Sequence, residues 1–305
     1  MRRRPTATSS RAAERGAGRA VRLAAHAKVN LWLNVVGRRA DGYHLLDSLV
    51  AFADLADTLE AVPAERLTLE IDGPQAAGLV QEADNLVLKA ARELAALARV
   101  PQQAALRLTK NIPMAAGLGG GSADAAAALR ALLRLWRLDL PEDRLFEIAG
   151  RIGADVPMCL AGRTALAGGI GEKLRPAPAL PACGLLLVNP GIGLPTAEVF
   201  KARRGPFSAP RDPERPWPDL PALVADLAAR GNDLAEAAIG LRPVIGEVLA
   251  FLRKSQGVRH AAMTGSGATC LALYDTPAAA RRVEPSVPAA WWRHAGRLVA
   301  RTASA

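Results

Sequence analysis

Pro113 to Ala126 reads PMAAGLGGGSADAA, with glycines at 117, 119, 120 and 121, a serine, and then helix formers. Glycine lets a backbone take φ > 0 and approach a ligand closely. The run Ser122 to Trp136 (SADAAAALRALLRLW) predicts a helix that starts at that turn, with Ser122 as N-cap and its hydroxyl also available to a phosphate or a metal ion. Such a turn presents free N–H groups and the positive end of the helix dipole, a site for an anion and most often for a phosphate. Two familiar phosphate loops do not fit. Walker A requires a lysine after its second glycine, and a dinucleotide fingerprint begun at Gly117 requires glycine where Ser122 stands. A glycine linker entering a structural helix is the alternative, and Asp124 in the first turn, which complements the dipole of an empty site, favours it slightly.

Outward from the loop, Val21 to Val36 alternates as a strand. Val29, Leu31, Leu33 and Val35 share one face, and Lys28, Asn30, Trp32 and Asn34 share the other. The Asp-Gly pair of GRRADGYH marks a turn, followed by short strands at Leu45 to Phe52 and Leu67 to Ile71. Asp84 is expected to cap a helix from Asn85 to Arg99. Ala105 to Thr109 reads as a strand that leads through Lys110 into the glycine loop, and Glu142 to Arg151 as a helix closed by GADVP. Beyond Gly162 the pattern predicts paired strands at Thr164 to Leu174 and Gly184 to Asn189. A short helix near Thr196 to Lys201 and a proline-rich exposed loop, Arg203 to Pro221, come next. Helices at Asp233 to Ile239 and Pro243 to Arg253 follow, then strands at Val258 to Met263 and Cys270 to Tyr274 around the turn TGSGAT, and a final helix. Mixed elements without steady βαβ alternation give an α+β fold in two domains, 21–163 and 164–305, behind a disordered leader, 1–20.

Composition narrows the function classes. The chain has 305 residues and 50% apolar content, enough for one large or two ordinary domains, and no run reaches the length of a membrane span. Three cysteines, Cys159, Cys183 and Cys270, share no metal-like spacing and read as reduced cytosolic thiols; the four histidines form no zinc pattern. The net charge of +10 invites a basic RNA-binding protein as a competing reading. Seven arginines against Glu14 in the first 22 residues carry most of that charge, so the body is only mildly basic. The leader lacks the apolar stretch of a secretory signal. Its arginine and serine content suits a transit peptide, but arginine is abundant throughout the chain.

Four segments in this order, AKVNLWLNVVGRRADGYH, PMAAGLGGGSADAA, GADVPMCL and TGSGATCLAL, resemble the GHMP kinases, the superfamily of galactokinase and of homoserine, mevalonate and phosphomevalonate kinases. AKVNL with DGYH resembles the branch acting on 4-diphosphocytidyl-2-C-methyl-D-erythritol in non-mevalonate isoprenoid biosynthesis. A sister kinase with another small alcohol would keep the glycine loop without needing DGYH. The resemblance implies a two-domain GHMP fold with a ferredoxin-like C-terminal domain, and transfer of the ATP γ-phosphoryl group, with Mg²⁺, to the acceptor's 2-hydroxyl. It implies Asp155 as base and Lys28 as its partner. It places Asn85, Lys110, Pro113, Met114, Ala115, Ala116, Gly117, Leu118, Gly119, Gly120, Gly121, Ser122 and Ala123 around ATP. Asn30, Tyr43, His44, Thr196 and Phe200 would lie at the cytidine-bearing acceptor, and Gly265, Ser266 and Gly267 form a second glycine turn. Metal ligands stay unassigned. Read alone, Asp155 could cap a short helix, Lys28 could be a solvated strand lysine and Phe200 the buried residue of an amphipathic helix. The protein is expected to be a cytoplasmic monomer or weak homodimer, with no nucleic-acid or membrane partner.

Overall fold

A computed structural model describes residues 20–77, 85–213 and 216–302. The fold is α+β, and two antiparallel strands of unusual length dominate its first half. The strand β1 (Val21–Arg38) pairs with β2 (His44–Val62) along nearly its whole length, with register shifts between His26 and Lys28 and between Asn30 and Trp32. The predicted alternation keeps Lys28 and Asn30 on one face, paired with Phe52 and Val50, but the bulge between Asn30 and Trp32 turns Trp32 and Asn34 to the other face, paired with Leu49 and Asp47, and both faces are covered. Val29, Lys28, Asn30 and Trp32 are all buried. Next come β3 (Thr68–Asp72), α1 (Leu86–Ala98) and β4 (Ala105–Thr109), the last lying between β2 and β3. The glycine loop then feeds α2 (Gly120–Leu135), followed by α3 (Glu142–Ile152) and α4 (Val156–Ala161). These helices share one core with the sheet. The alanines of α2 let it sit close to β1 and β2, and Ala125, Ala128, Leu129 and Leu132 are fully buried there.

The hairpin of β5 (Ala165–Gly168) and β6 (Lys173–Pro176) hangs on β2 of this first sheet, although the sequence reading put it at the head of the second domain and paired it with the next strand. The second half comprises β7 (Gly184–Asn189), α5 (Thr196–Ala202), α6 (Leu220–Arg230), α7 (Ala235–Leu241), α8 (Val244–Lys254), β8 (Val258–Met263), β9 (Cys270–Tyr274), α9 (Pro277–Val283) and β10 (Trp292–Val299). Its strands run antiparallel in the order β10-β7-β9-β8, with α8 between β7 and β8 in sequence and α9 between β9 and β10. That is the ferredoxin-like arrangement. The two halves join where β10 pairs with β2 at Ala53 and Phe52, and where Val29 and Leu31 pack with Leu187 and Leu271.

Several boundaries differ from the sequence reading for identifiable reasons. The helix α2 starts two residues earlier than expected: Gly119, left-handed at φ 64°, is its N-cap, and Ser122 lies in the first turn. Asp84 lies outside the described residues; Asn85 caps α1, its side chain accepting a bond from Val87 N at 2.9 Å. Proline density hid α6, which tolerates Pro221 in its first turn behind the Asp219 cap. The segment before it is not wholly exposed, because Trp217 is buried edge-on against Trp32. The last element is the strand β10, not a helix. The leader, apart from Ala20, falls outside the described residues.

Candidate active site

A cleft of about 1170 Å³ opens where β1, the glycine loop, α4, α5 and the second glycine turn converge. Strand alternation aims Lys28 and Asn30 into it. The backbone N–H of Lys28 donates to Leu118 O at 2.8 Å, which ties β1 to the glycine loop. Its Nζ lies 3.1 Å from Asp155 Oδ2 and 3.1 Å from Asn30 Oδ1. Asn30 is fixed in turn, donating through Nδ2 to Ser48 Oγ at 2.7 Å and through its backbone to Thr264 Oγ1 at 2.7 Å. Asp155 occupies the N-cap position of α4, yet its side chain caps nothing and points to Lys28. The carboxylate is 44% exposed while the lysine beside it is 9% exposed, so one partner is rigidly held and the other faces the cleft. A carboxylate placed so can accept a proton, and an ammonium there can stabilise negative charge as it develops.

Gly117, Gly119 and Ser122 line the same cleft, so the loop and first turn of α2 present polar backbone to it. A Cβ on Gly119 would come within 3.2 Å of Lys28 Cε, and one on Gly117 would collide with the carbonyl oxygen of Gly267. The second glycine turn therefore braces the first. Thr269 Oγ1 donates to Ala116 O at 2.6 Å, and Asn232 Nδ2 donates to Met263 O and Gly265 O at 2.8 and 2.9 Å. Sequence reasoning missed Asn232, whose turn lies far from either loop in the chain. Not every loop residue faces the cleft. Ala116 and Leu118 are buried, Met114 is 46% exposed beyond the lining, and Pro113, Ala115, Gly120, Gly121 and Ala123 are likewise outside it.

Lys110 and Asn85, both expected at the nucleotide, do not line this cleft. Asn85 is the α1 cap described above. Lys110 is sealed behind the first turn of α2, with Nζ donating to Asp57 Oδ2 and to Asp124 Oδ2, the latter at 2.7 Å. Asp57 also accepts the backbone N–H of Asn111 and of Ile112 through Oδ1. With three donors and no exposure, Asp57 has the hydrogen bonding of a carboxylate. Burial pulls the Lys110 ammonium down, and Asp124 and Asp57 more than restore it, so it keeps its proton. Burial pushes the Asp124 carboxyl up to about 8 against the pull of Lys110, and its Oδ1 is buried without a partner. Asp57, with three donors, is the stronger partner of the ammonium, and Asp124 is the carboxyl that burial protonates more readily. Asp124, read from sequence as a dipole partner, instead faces inward.

In the same cleft, His44 and Phe200 stack with centroids 5.1 Å apart and planes 22° apart. Phe200 also packs on the core beneath α5, so the amphipathic-helix reading and the cleft placement coexist. Tyr43 is 60% exposed at the mouth, and Thr196 Oγ1 pairs with Ser266 Oγ at 2.8 Å. Burial, then the positive charges of Arg38 and Arg203, lower the pKa of His44 below its usual value. Gly267 lies behind the cleft surface, whereas Gly265 and Ser266 line it. Among the described residues no group of three His, Cys, Asp or Glu could hold a metal, and no helix is long and apolar enough to cross a membrane. The cysteines are free and buried, and burial pushes the Cys183 and Cys270 thiols up to about 11 and about 12.

Comparison with known proteins gives a consistent result. Residues 85–163 match the GHMP kinases N terminal domain, and residues 218–293 match the GHMP kinases C terminal domain. The chain is 53% identical over 273 residues to the 4-diphosphocytidyl-2-C-methyl-D-erythritol kinase of Paramagnetospirillum magneticum, covering 88% of this chain and 95% of that one. It is 51% identical over 285 residues to the enzyme of the same name from Gluconacetobacter diazotrophicus, covering 90% and 93%. A crystal structure of 4-(cytidine 5'-diphospho)-2C-methyl-D-erythritol kinase superposes with a TM-score of 0.75 at 38% identity, covering 91% of this chain and 99% of the other.

Proposed function

The chain belongs to the GHMP kinases, in the branch of 4-diphosphocytidyl-2-C-methyl-D-erythritol kinases, and from that premise we propose how its cleft performs the transfer. It is an ATP-dependent kinase whose acceptor is 4-diphosphocytidyl-2-C-methyl-D-erythritol, phosphorylated at its 2-hydroxyl in isoprenoid precursor biosynthesis. The observation that carries the reading is the Lys28–Asp155 pair, 3.1 Å apart, in a cleft that the glycine loop and the His44–Phe200 stack also line.

The acceptor's hydroxyl sits against Asp155, which takes its proton as the oxygen bonds to the γ-phosphorus. The bond from that phosphorus to the bridging β–γ oxygen breaks, and ADP leaves with the electron pair. Lys28 holds Asp155 in place and stabilises charge on the transferring group. The backbone around Gly117, Gly119 and Ser122 cradles the donor's phosphates, doing with N–H groups what a Walker lysine does with a side chain. The Ser122 hydroxyl and the half-exposed Asp155 are the oxygen donors on this wall. Such a sparse set suits Mg²⁺ carried in by phosphates and water rather than by a protein cage. When bound, the ion neutralises phosphate charge.

An assay of ATP consumption coupled to each candidate acceptor tests the reading. The cytidine compound should be phosphorylated, and mevalonate, homoserine and galactose ignored. Preference for one of those three would preserve the family and remove the cytidine site.

A further inference from the structure

The His44–Phe200 end of the cleft carries a concentration of positive charge that the transfer chemistry does not use. Arg38, Lys201, Arg203 and Arg204 all line it. Among the described residues, only two carboxylates line the same cleft: Asp155, held by Lys28, and Asp41, held by Arg39 at 2.7 Å. Among the described residues, no carboxylate lies within 4.0 Å of Arg38, Lys201 or Arg204, and Arg203 reaches one, Asp233, only at that limit. Arg203 is also pre-positioned: its side chain is 8% exposed, and its guanidinium donates to the carbonyls of Gly205 and Pro206. Arg204 is turned back on its own helix end, donating to Lys201 O and Arg203 O at 2.9 and 3.0 Å.

Uncompensated cations gathered in one concave lobe focus an electrostatic field there and raise the affinity for anions. Their field reaches the ring that stacks on Phe200, since Arg38 and Arg203 both act against protonation of His44. A neutral imidazole and a phenyl ring suit a nucleobase, and the neighbouring cations suit phosphate.

We propose that Arg38, Lys201, Arg203 and Arg204 form a binding site for the diphosphate bridge of the acceptor, separate from the glycine loop that takes the donor's phosphates. This assignment rests on the reading of the acceptor as a cytidine diphosphate compound. Arginine binds phosphate through paired, charge-assisted hydrogen bonds, whereas lysine acts as a point charge. The fixed Arg203 supplies field, and the exposed Arg38, Lys201 and Arg204 close on the bridge. The site also gives selectivity, because an uncharged alcohol such as a simple sugar leaves these cations unpaired.

Calorimetric titration with cytidine and with CDP, in the presence of a saturating non-hydrolysable ATP analogue, tests the site. Wild-type protein should bind CDP at least about tenfold more tightly than cytidine, and added salt should narrow that gap. In Arg38→Met/Arg204→Met the gap should shrink to about threefold or less, with cytidine affinity unchanged. Retained binding of the ATP analogue shows that this variant is folded, and Lys201→Met should give a smaller narrowing at an exposed position. Equal binding of cytidine and CDP by wild-type protein would overturn the diphosphate site alone. Binding of neither would overturn it together with the cytidine reading. Equal weakening of both ligands in the variants would show that these side chains merely shape the pocket, and would also overturn the proposal.

Discussion

Two lysine–aspartate arrangements flank the same glycine loop, and they are built for opposite purposes. Gly119 sits against Lys28, and Gly120 sits against Lys110, whose Nζ a Cβ there would meet at 3.5 Å. Lys28 pairs with a single aspartate that is 44% exposed to the cleft. Lys110 lies between Asp57 and Asp124, which are 0% and 4% exposed. Adjacent glycines thus separate a pair that can exchange protons with a ligand from a sealed triad that cannot. Residue type does not distinguish them; burial does. An open pair contributes little to stability and is free to act on substrate, whereas a sealed triad fixes the chain that leads into the loop.

The largest expected effect tests the open pair. Asp155→Asn removes the proton acceptor while keeping shape, and should lower kcat by about 10²- to 10⁴-fold with ATP affinity nearly intact. A fall of less than about threefold would return Asp155 to a purely structural place at the start of α4. Lys28→Met should also lower kcat, and the double variant should lose less than the sum of the two if the residues act as a unit.

Stability separates the two lysines next. Lys110→Met leaves Asp57 buried without its cation and should cost about 3–5 kcal/mol in urea unfolding. Lys28→Met strands only a half-exposed carboxylate, and its cost should stay below about 1 kcal/mol. Equal losses would break the contrast. A third substitution sharpens it at the boundary: Gly119→Val places a branched side chain at φ 64°, against Lys28 Cε. Backbone strain of about 1–3 kcal/mol acts there on the phosphate-facing turn, so KM for ATP should rise by roughly tenfold or more. Unchanged ATP kinetics in a folded variant would remove the loop from the nucleotide site.

Much of this was readable before any fold was known. The four segments order the GHMP architecture, and the alternation of β1 correctly set Lys28 and Asn30 on one face. The sequence of β7 through β9 also showed its strands where short apolar runs met turn residues. What it hid is contact between distant positions. Lys110, expected at the nucleotide, has its ammonium held by Asp57, 53 residues earlier in the chain. Asp124 sits in the first turns of a helix, where acid ordinarily complements the dipole, and only the rotation of α2 reveals that it points inward. The helix α6 was masked because prolines suit a loop and a helical first turn equally. The strand β10 was missed because its partners, β7 and β2, are remote in sequence.

The smallest expected effect is the most specific to the triad. Asp124 is held up at about 8 by burial, with one oxygen unpartnered, so near neutral pH the folded chain already carries it as the neutral acid. An unfolded aspartate titrates near 3.9, and the folded state therefore binds one more proton between those values. Stability from this group is full below about pH 4, declines as pH rises through the interval, and levels off above about 8. Asp124→Asn replaces one neutral group with another of similar shape and should change stability at pH 6 by about 1 kcal/mol or less. It should also flatten the decline between pH 4 and 8, which urea unfolding across that range would read. A loss at pH 6 as large as that of Lys110→Met would mean that Asp124 is ionised and shares the ammonium with Asp57, making the triad a doubly acidic clamp instead of an ion pair roofed by an acid.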